Sequence, residues 1–116
     1  APCSGLGTLR RDPDVRWRRS ESDLPRLAAS QRQMLEETAR ALAPGGRLVY
    51  STCSSEPEED EDVVSAFVAS AAFKPAPPRA LPVAVQPLVN GAGHLRTFPF
   101  RDGLEAFFGA ILTRAD

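Results

Sequence analysis

Two cysteines are the residues of this chain best suited to covalent chemistry. Cys53 closes the run Arg47-Leu48-Val49-Tyr50-Ser51-Thr52-Cys53, and Cys3 lies in Pro2-Cys3-Ser4-Gly5. A thiolate is a strong nucleophile, but a free thiol is mostly protonated at neutral pH. It needs a helix N-terminus, a cation or a base beside it. Cys53 stands two residues before Ser55, the expected start of a helix, so the helix dipole is one source of such help. The six carboxylates of residues 56–62 oppose it unless they point away. Local physics leaves Cys53 as a nucleophile or as a buried, inert thiol. A Cys3–Cys53 disulfide is a third reading, although two cysteines are too few for a secreted disulfide scaffold. His94 is the only histidine and has no second candidate ligand near it. It reads as structural or surface, and without CxxC spacing no metal site is expected.

The elements that must position these thiols follow from patterning. Leu48–Tyr50 is apolar and reads as a strand covered on both faces, as in a parallel sheet. Cys53 then falls at the carboxyl edge, where open α/β sheets place ligands. Residues 24–43 read as a helix, with Leu27, Met34, Leu35, Thr38, Ala39 and Leu42 near one face. Asp23 is its expected N-cap, Pro25 lies in its first turn, and Pro44-Gly45-Gly46 stops it. Ser55-Glu56-Pro57-Glu58 has a capping-box pattern that predicts a second helix over residues 56–72. On that helix Glu58, Glu59, Asp60, Glu61 and Asp62 read as capping and solvation. Gly5-Leu6-Gly7 reads as a tight turn rather than a phosphate loop. Residues 73–78 read as a proline-rich connector, and residues 81–89, with two prolines, as an edge strand at best. Residues 95–100 and 107–113 read as strands that pair antiparallel. The helix–strand rhythm favours a three-layer α/β fold.

With 116 residues and 42% hydrophobic content, the chain has the size and core of one small domain. Its net charge of −1 excludes a generally basic nucleic-acid coat, yet five arginines crowd residues 10–19. Arg10, Arg11, Arg16, Arg18 and Arg19 predict a local polyanion-binding patch, because arginine pairs bidentately with phosphate. Trp17, inside that stretch, is expected to pack into the core rather than stack on a base. No apolar run reaches 18 residues, so no membrane-spanning helix is expected. The arginine-rich start lacks a signal-peptide h-region, and a cytoplasmic protein with free thiols is the simplest inference. The chain begins with Ala1 inside a loop motif, which points to the C-terminal part of a longer protein.

Several motifs together resemble one family. They are Ala1-Pro2-Cys3-Ser4-Gly5, Arg10-Arg11-Asp12-Pro13-Asp14-Val15-Arg16-Trp17, and Val49-Tyr50-Ser51-Thr52-Cys53-Ser54 with Pro57-Glu58-Glu59. Leu95-Arg96-Thr97-Phe98-Pro99, and Asp102-Gly103 with Phe107-Phe108-Gly109-Ala110-Ile111-Leu112, extend the match. The chain resembles the Sun/Fmu family of S-adenosylmethionine-dependent RNA (cytosine-5) methyltransferases, and among them it is similar to the bacterial 16S rRNA enzymes. The resemblance implies the C-terminal half of a Rossmann-like class I methyltransferase domain, a three-layer sandwich with a mixed sheet, as one partial domain over residues 1–116. It implies Cys53 as nucleophile, Cys3 as the residue that assists product release, and Pro2 at the cofactor, S-adenosyl-L-methionine. It implies RNA, chiefly rRNA, as partner. The family's aspartate before Ala-Pro-Cys, its glycine-rich cofactor loop and its acidic ribose contact are absent from this sequence, and Asp60 replaces the usual Asn. The resemblance therefore implies a segment that is inactive alone. Its unpaired sheet edge invites self-association. The alternative is a non-catalytic RNA-binding fragment that uses the Arg10–Arg19 stretch.

Overall fold

A computed structural model describes residues 1–9 and 11–115. It contains a short helix α1 (Val15–Arg18), a long helix α2 (Asp23–Ala41) and strand β1 (Arg47–Thr52). Helix α3 (Glu61–Ser70), strands β2 (Phe73–Pro75) and β3 (Leu95–Arg96), helix α4 (Pro99–Asp102) and strand β4 (Phe108–Arg114) follow.

β4 is the centre of the sheet. It pairs antiparallel with β1 from Arg47↔Thr113 to Thr52↔Phe108. Along its other edge it pairs with β2 near Leu112 and with β3 at Gly109 and Phe108, again antiparallel. The expected antiparallel pairing of the last two strands is present, although the first of them is only Leu95–Arg96. Pro99 follows closely and opens α4 instead.

One face of the sheet carries the core. Leu48 and Tyr50 of β1, and Phe108, Ala110 and Leu112 of β4, point the same way. Ala28 and Leu35 of α2, with Val63, Val64 and Phe67 of α3, pack onto them. The alternation in β1 is strict: Leu48, Tyr50 and Thr52 are buried and Arg47, Val49 and Ser51 are exposed. β1 is therefore not the parallel strand covered on both faces that its apolar run suggests; Val49 is 63% exposed. A run of three apolar residues cannot distinguish the two cases.

Other differences have local causes. Met34 and Thr38 are exposed, and the buried stripe of α2 is Leu27, Ala28, Gln31 and Leu35. Asp23 is not a cap; it is the first helical residue, and its carboxylate accepts the Ser20 N–H at 2.9 Å and pairs with Arg26 at 3.1 Å. α3 begins only at Glu61, because residues 56–60 form turns in which Pro57 O accepts the N–H groups of Asp60 and Asp62. Residues 73–75 form strand β2 rather than a plain connector. Pro78–Ala80 and Val83–Leu88 wind into 3₁₀ turns rather than an edge strand, and Val89 makes one bridge to Leu95. Trp17 lies outside the core at 75% exposure. No helix among the described residues is long and apolar enough to cross a membrane.

Leu112 is wholly buried at the middle of β4, whereas Val49 lies on the open face. Leu112→Ala is expected to lower unfolding free energy in urea by about 2–5 kcal/mol, and Val49→Ala by less than about 1 kcal/mol. Equal losses would place the core on the wrong face.

Candidate active site

β1 delivers Cys53 to the end of the sheet. The loop that carries Cys3 crosses beside it, although 50 residues separate the two in sequence. Cys3 Sγ and Cys53 Sγ are 3.1 Å apart, both partly buried. A disulfide is about 2.05 Å long, so these are two free thiols in contact.

Backbone bonds hold the loops together. Gly7 N–H donates to Cys53 O at 2.9 Å, and Ala106 N–H donates to Gly7 O at 3.0 Å. A Cβ on Gly7 would lie 2.1 Å from Ala106 O and 2.6 Å from Cys53 O, so only glycine fits. Gly5 sits at φ 73°, the left-handed conformation that glycine adopts most easily. Gly5-Leu6-Gly7 is the expected tight turn, and its second glycine is needed for close approach. Ala1 N donates to Ser51 O at 3.0 Å along the outer edge of β1.

Side chains fasten the same loops from below. Glu59 is fully buried and accepts the Ser4 N–H at 2.7 Å, the Ser4 hydroxyl at 2.6 Å, the Ser54 hydroxyl, and Gln31 Nε2 at 3.3 Å. Gln31 Nε2 also donates to Pro2 O at 2.7 Å. Next to Glu59, Asp60 is equally buried. It accepts the Thr52 hydroxyl and Arg96 Nη1, the latter at 2.7 Å. Arg96 also pairs with Glu61 and lies over the Phe108 ring. Tyr50 Oη donates to Glu59 O at 2.5 Å. The acidic run is therefore not solely capping and solvation. Glu58 and Asp62 are exposed, while Glu59 and Asp60 are interior anchors. Their partners Ser4, Gln31 and Arg96 lie 28 to 55 residues away. The sequence offers one local signal: Gln31 interrupts the apolar stripe of α2 between Leu27 and Leu35.

The electrostatics of Cys53 differ from the expectation of a nearby helix dipole. α3 starts eight residues later, at Glu61. Burial, followed by the hydrogen bond to Cys3, pushes the Cys53 thiol up to about 11. At rest the thiol is protonated, and attack requires a base or a change in surroundings when a ligand binds. Asp60 is also pushed up, to about 6, by burial that Thr52 and Arg96 only partly offset. An Asn there would lack the charge that faces Arg96. His94 is buried edge-on against Phe108 at 5.1 Å, and burial lowers its pKa.

Cys53 opens onto a trough of about 510 Å³ lined by Val49, Leu95, Phe107 and Gly109, with Ala1 at its rim. Its walls are mainly apolar and hold no carboxylate.

The described arginines of this stretch have the following partners. Arg16 stacks on the exposed Trp17, with its guanidinium carbon 4.7 Å from the ring centroid. Arg18 pairs with Asp12 at 2.8 Å and Arg11 with Glu105 at 3.1 Å. Arg19 Nε donates to Ser4 O at 3.0 Å, so it braces the Cys3 loop while remaining exposed. Arg10 lies outside the described residues.

The raised Cys53 pKa sets an expectation for the protein without ligand. Iodoacetamide should alkylate Cys53 slowly at pH 7, and the rate should climb about tenfold per pH unit towards pH 11. In Cys3→Ala the climb should begin at lower pH, because one of the two main causes is removed. A plateau already at pH 8 in the unaltered protein would contradict the burial argument.

Comparisons with known proteins cover the same stretch. The family model for 16S rRNA methyltransferase RsmB/F matches residues 1–113. The chain is 44% identical to the ribosomal RNA small subunit methyltransferase B of Thermus thermophilus, over 100% of this chain and 28% of that protein. The probable ribosomal RNA small subunit methyltransferase B of Bacillus subtilis is 39% identical over 93% of this chain and 25% of that one. The chain thus spans about a quarter of these curated relatives. The structure is similar to that of a methyltransferase homolog protein from Pyrococcus horikoshii, with a TM-score of 0.76 and 30% identity over 98% of this chain and 37% of that one. It is also similar to NSun6 from Pyrococcus horikoshii with SFG, with a TM-score of 0.79 and 26% identity over 100% of this chain and 29% of that one.

Proposed function

The chain belongs to the 16S rRNA methyltransferase RsmB/F family, and from that premise we propose that it carries the two-thiol centre of an RNA (cytosine-5) methyltransferase acting on ribosomal RNA. The observation that carries this reading is the 3.1 Å contact between Cys3 Sγ and Cys53 Sγ at the end of β1, beside an open trough.

Carbon 5 of cytosine is a weak nucleophile. Addition of the Cys53 thiolate to carbon 6 moves electron density to carbon 5, which can then take a methyl group. S-adenosyl-L-methionine, when bound, supplies that methyl group; SFG, found with one structural neighbour, is its analogue. Pro2 is the residue of this chain that we assign to it. The Pro2 carbonyl is held by Gln31, so the proline ring is the part left to offer. We expect the segment alone to be inactive. After methyl transfer a base takes the carbon-5 proton, and the bond from carbon 6 to Cys53 Sγ breaks to restore the ring. We assign Cys3 to that release, as its acid or base. Its contact with Cys53 suits a division of addition from elimination between two thiols.

RNA contact is assigned to Arg10, Arg11, Arg16, Arg18 and Arg19. The exposed Arg16–Trp17 pair offers both a cation and a stacking surface. The competing reading is a non-catalytic RNA-binding fragment that uses this stretch alone. β1 forms one edge of the described sheet, and we propose that this edge drives self-association of the isolated chain.

In the full-length protein, Cys53→Ala should abolish methylation and leave RNA affinity nearly unchanged; retained methylation would remove Cys53 as nucleophile. Cys3→Ala, given RNA and methyl donor, should accumulate a covalent protein–RNA band on a denaturing gel. The band should vanish in the double variant Cys3→Ala/Cys53→Ala. Its absence from Cys3→Ala with methylation intact would overturn the release role. Arg16→Ala or Arg18→Ala should weaken binding about equally across RNA sequences and lower the salt slope by about 1 each. An unchanged slope would place the phosphate contacts elsewhere.

A further inference from the structure

We propose that Glu59 is a positioning residue for the two thiols. It holds the Cys3 loop and the Cys53 loop to one buried carboxylate and thereby sets the contact between Cys3 Sγ and Cys53 Sγ. The inference deepens the reading given under Proposed function and rests on it for its catalytic meaning.

The geometry leaves little choice. Both loops end on the same side chain through the residue that follows each cysteine. Ser4 follows Cys3 and gives Glu59 two bonds, from its N–H to Oε1 and from its hydroxyl to Oε2. Ser54 follows Cys53 and donates its hydroxyl to the same Oε2. Gln31 of α2 fills the remaining side of Oε1, and with the same nitrogen it holds the carbonyl of Pro2, just before Cys3. Four donors and no acceptor face the carboxylate, as an acceptor-only group requires. Glu59 is itself fixed, because Tyr50 Oη donates to its carbonyl and Asp60 is held by Thr52 and Arg96. Glu59 touches neither thiol among its hydrogen-bond partners, so its effect passes through Ser4 and Ser54.

A carboxylate oxygen accepts from both hydroxyls at once, which an amide nitrogen cannot do. Glu59→Gln keeps the volume and one acceptor oxygen, but it puts an NH₂ donor where Ser4 and Ser54 donate their hydroxyls to Oε2, so both hydroxyls must turn and accept instead. The charge-assisted hold on the two loops is then weakened, and displacements near 1 Å are enough to cost about 10²-fold where geometry is critical.

The test uses the full-length protein without RNA first. Cys3 and Cys53 are equilibrated with a glutathione buffer. In forming a protein disulfide, the two thiols give up two protons and two electrons to glutathione disulfide, which becomes two molecules of glutathione. The equilibrium constant reports the effective concentration of one thiol at the other. In Glu59→Gln it should fall about tenfold or more, with helix content retained by circular dichroism. Ser54→Ala, which removes a single bond, should give a smaller fall and serves if Glu59→Gln does not fold. With RNA and methyl donor, Glu59→Gln should then accumulate the covalent band expected of Cys3→Ala, an outcome that general loss of structure does not produce. An unchanged effective concentration in folded Glu59→Gln and Ser54→Ala overturns the proposal. A reduced effective concentration with no band from Cys3→Ala itself upholds the positioning by Glu59 and defeats the thiol assignment instead.

Discussion

A buried carboxylate with four donors aimed at it is the constraint on which this site depends. Burying an ionised group without partners is among the costliest things a fold can do. Glu59 is tolerated because Ser4, Ser54 and Gln31 arrive from three separate parts of the chain to satisfy it. The same requirement works in reverse. If those three must meet at one point, the loop after Ala1, the turn after β1 and the face of α2 have fixed relative positions. The cysteines adjoin two of the donors, so their contact follows from satisfying a polar group. Asp60 repeats the device one residue on, joining Thr52 of β1 to Arg96 of β3.

The sheet supplies the rigid part. β4 runs antiparallel between β1 on one edge and β2 with β3 on the other, and its inward residues Phe108, Ala110 and Leu112 anchor the core. Strict alternation along β1 turns Leu48, Tyr50 and Thr52 inward. Tyr50 and Thr52 bring hydroxyls to the acidic turn, so one strand contributes both core and site. Arg96 and Phe108, partners across β3 and β4, carry that polar cluster into the aromatic core. A site built from strand ends and a buried turn holds its side chains more firmly than one built on open loops alone.

Much of this was legible from residue types and spacing. The strand that leads to Cys53, the long helix before it and the antiparallel closing pair all follow from local pattern. What was hidden depends on contacts distant in sequence. Glu59 and Asp60 look like ordinary helix-start acids, and nothing nearby shows that Ser4 and Arg96 will come to them. The turn that holds them also puts the helix start at Glu61, which removes the dipole from Cys53. Trp17 is expected inside because large aromatics usually are, yet α1 is a single turn and leaves it in solvent with Arg16 against it. The apolar run of β1 reads as doubly covered because Leu-Val-Tyr hides the alternation that Thr52 and Ser51 complete.

The central claim is that Cys53, held beside Cys3, is the thiol that attacks the base. The direct measurement is to incubate the full-length protein with methyl donor and RNA carrying 5-fluorocytidine, whose fluorine blocks the elimination step, and to map the cross-linked peptide by mass spectrometry. The account predicts the base on the peptide that contains Cys53, with Cys3 left free to react with a thiol reagent. A base attached to Cys3, or RNA methylated with no cross-link on either cysteine, would contradict it.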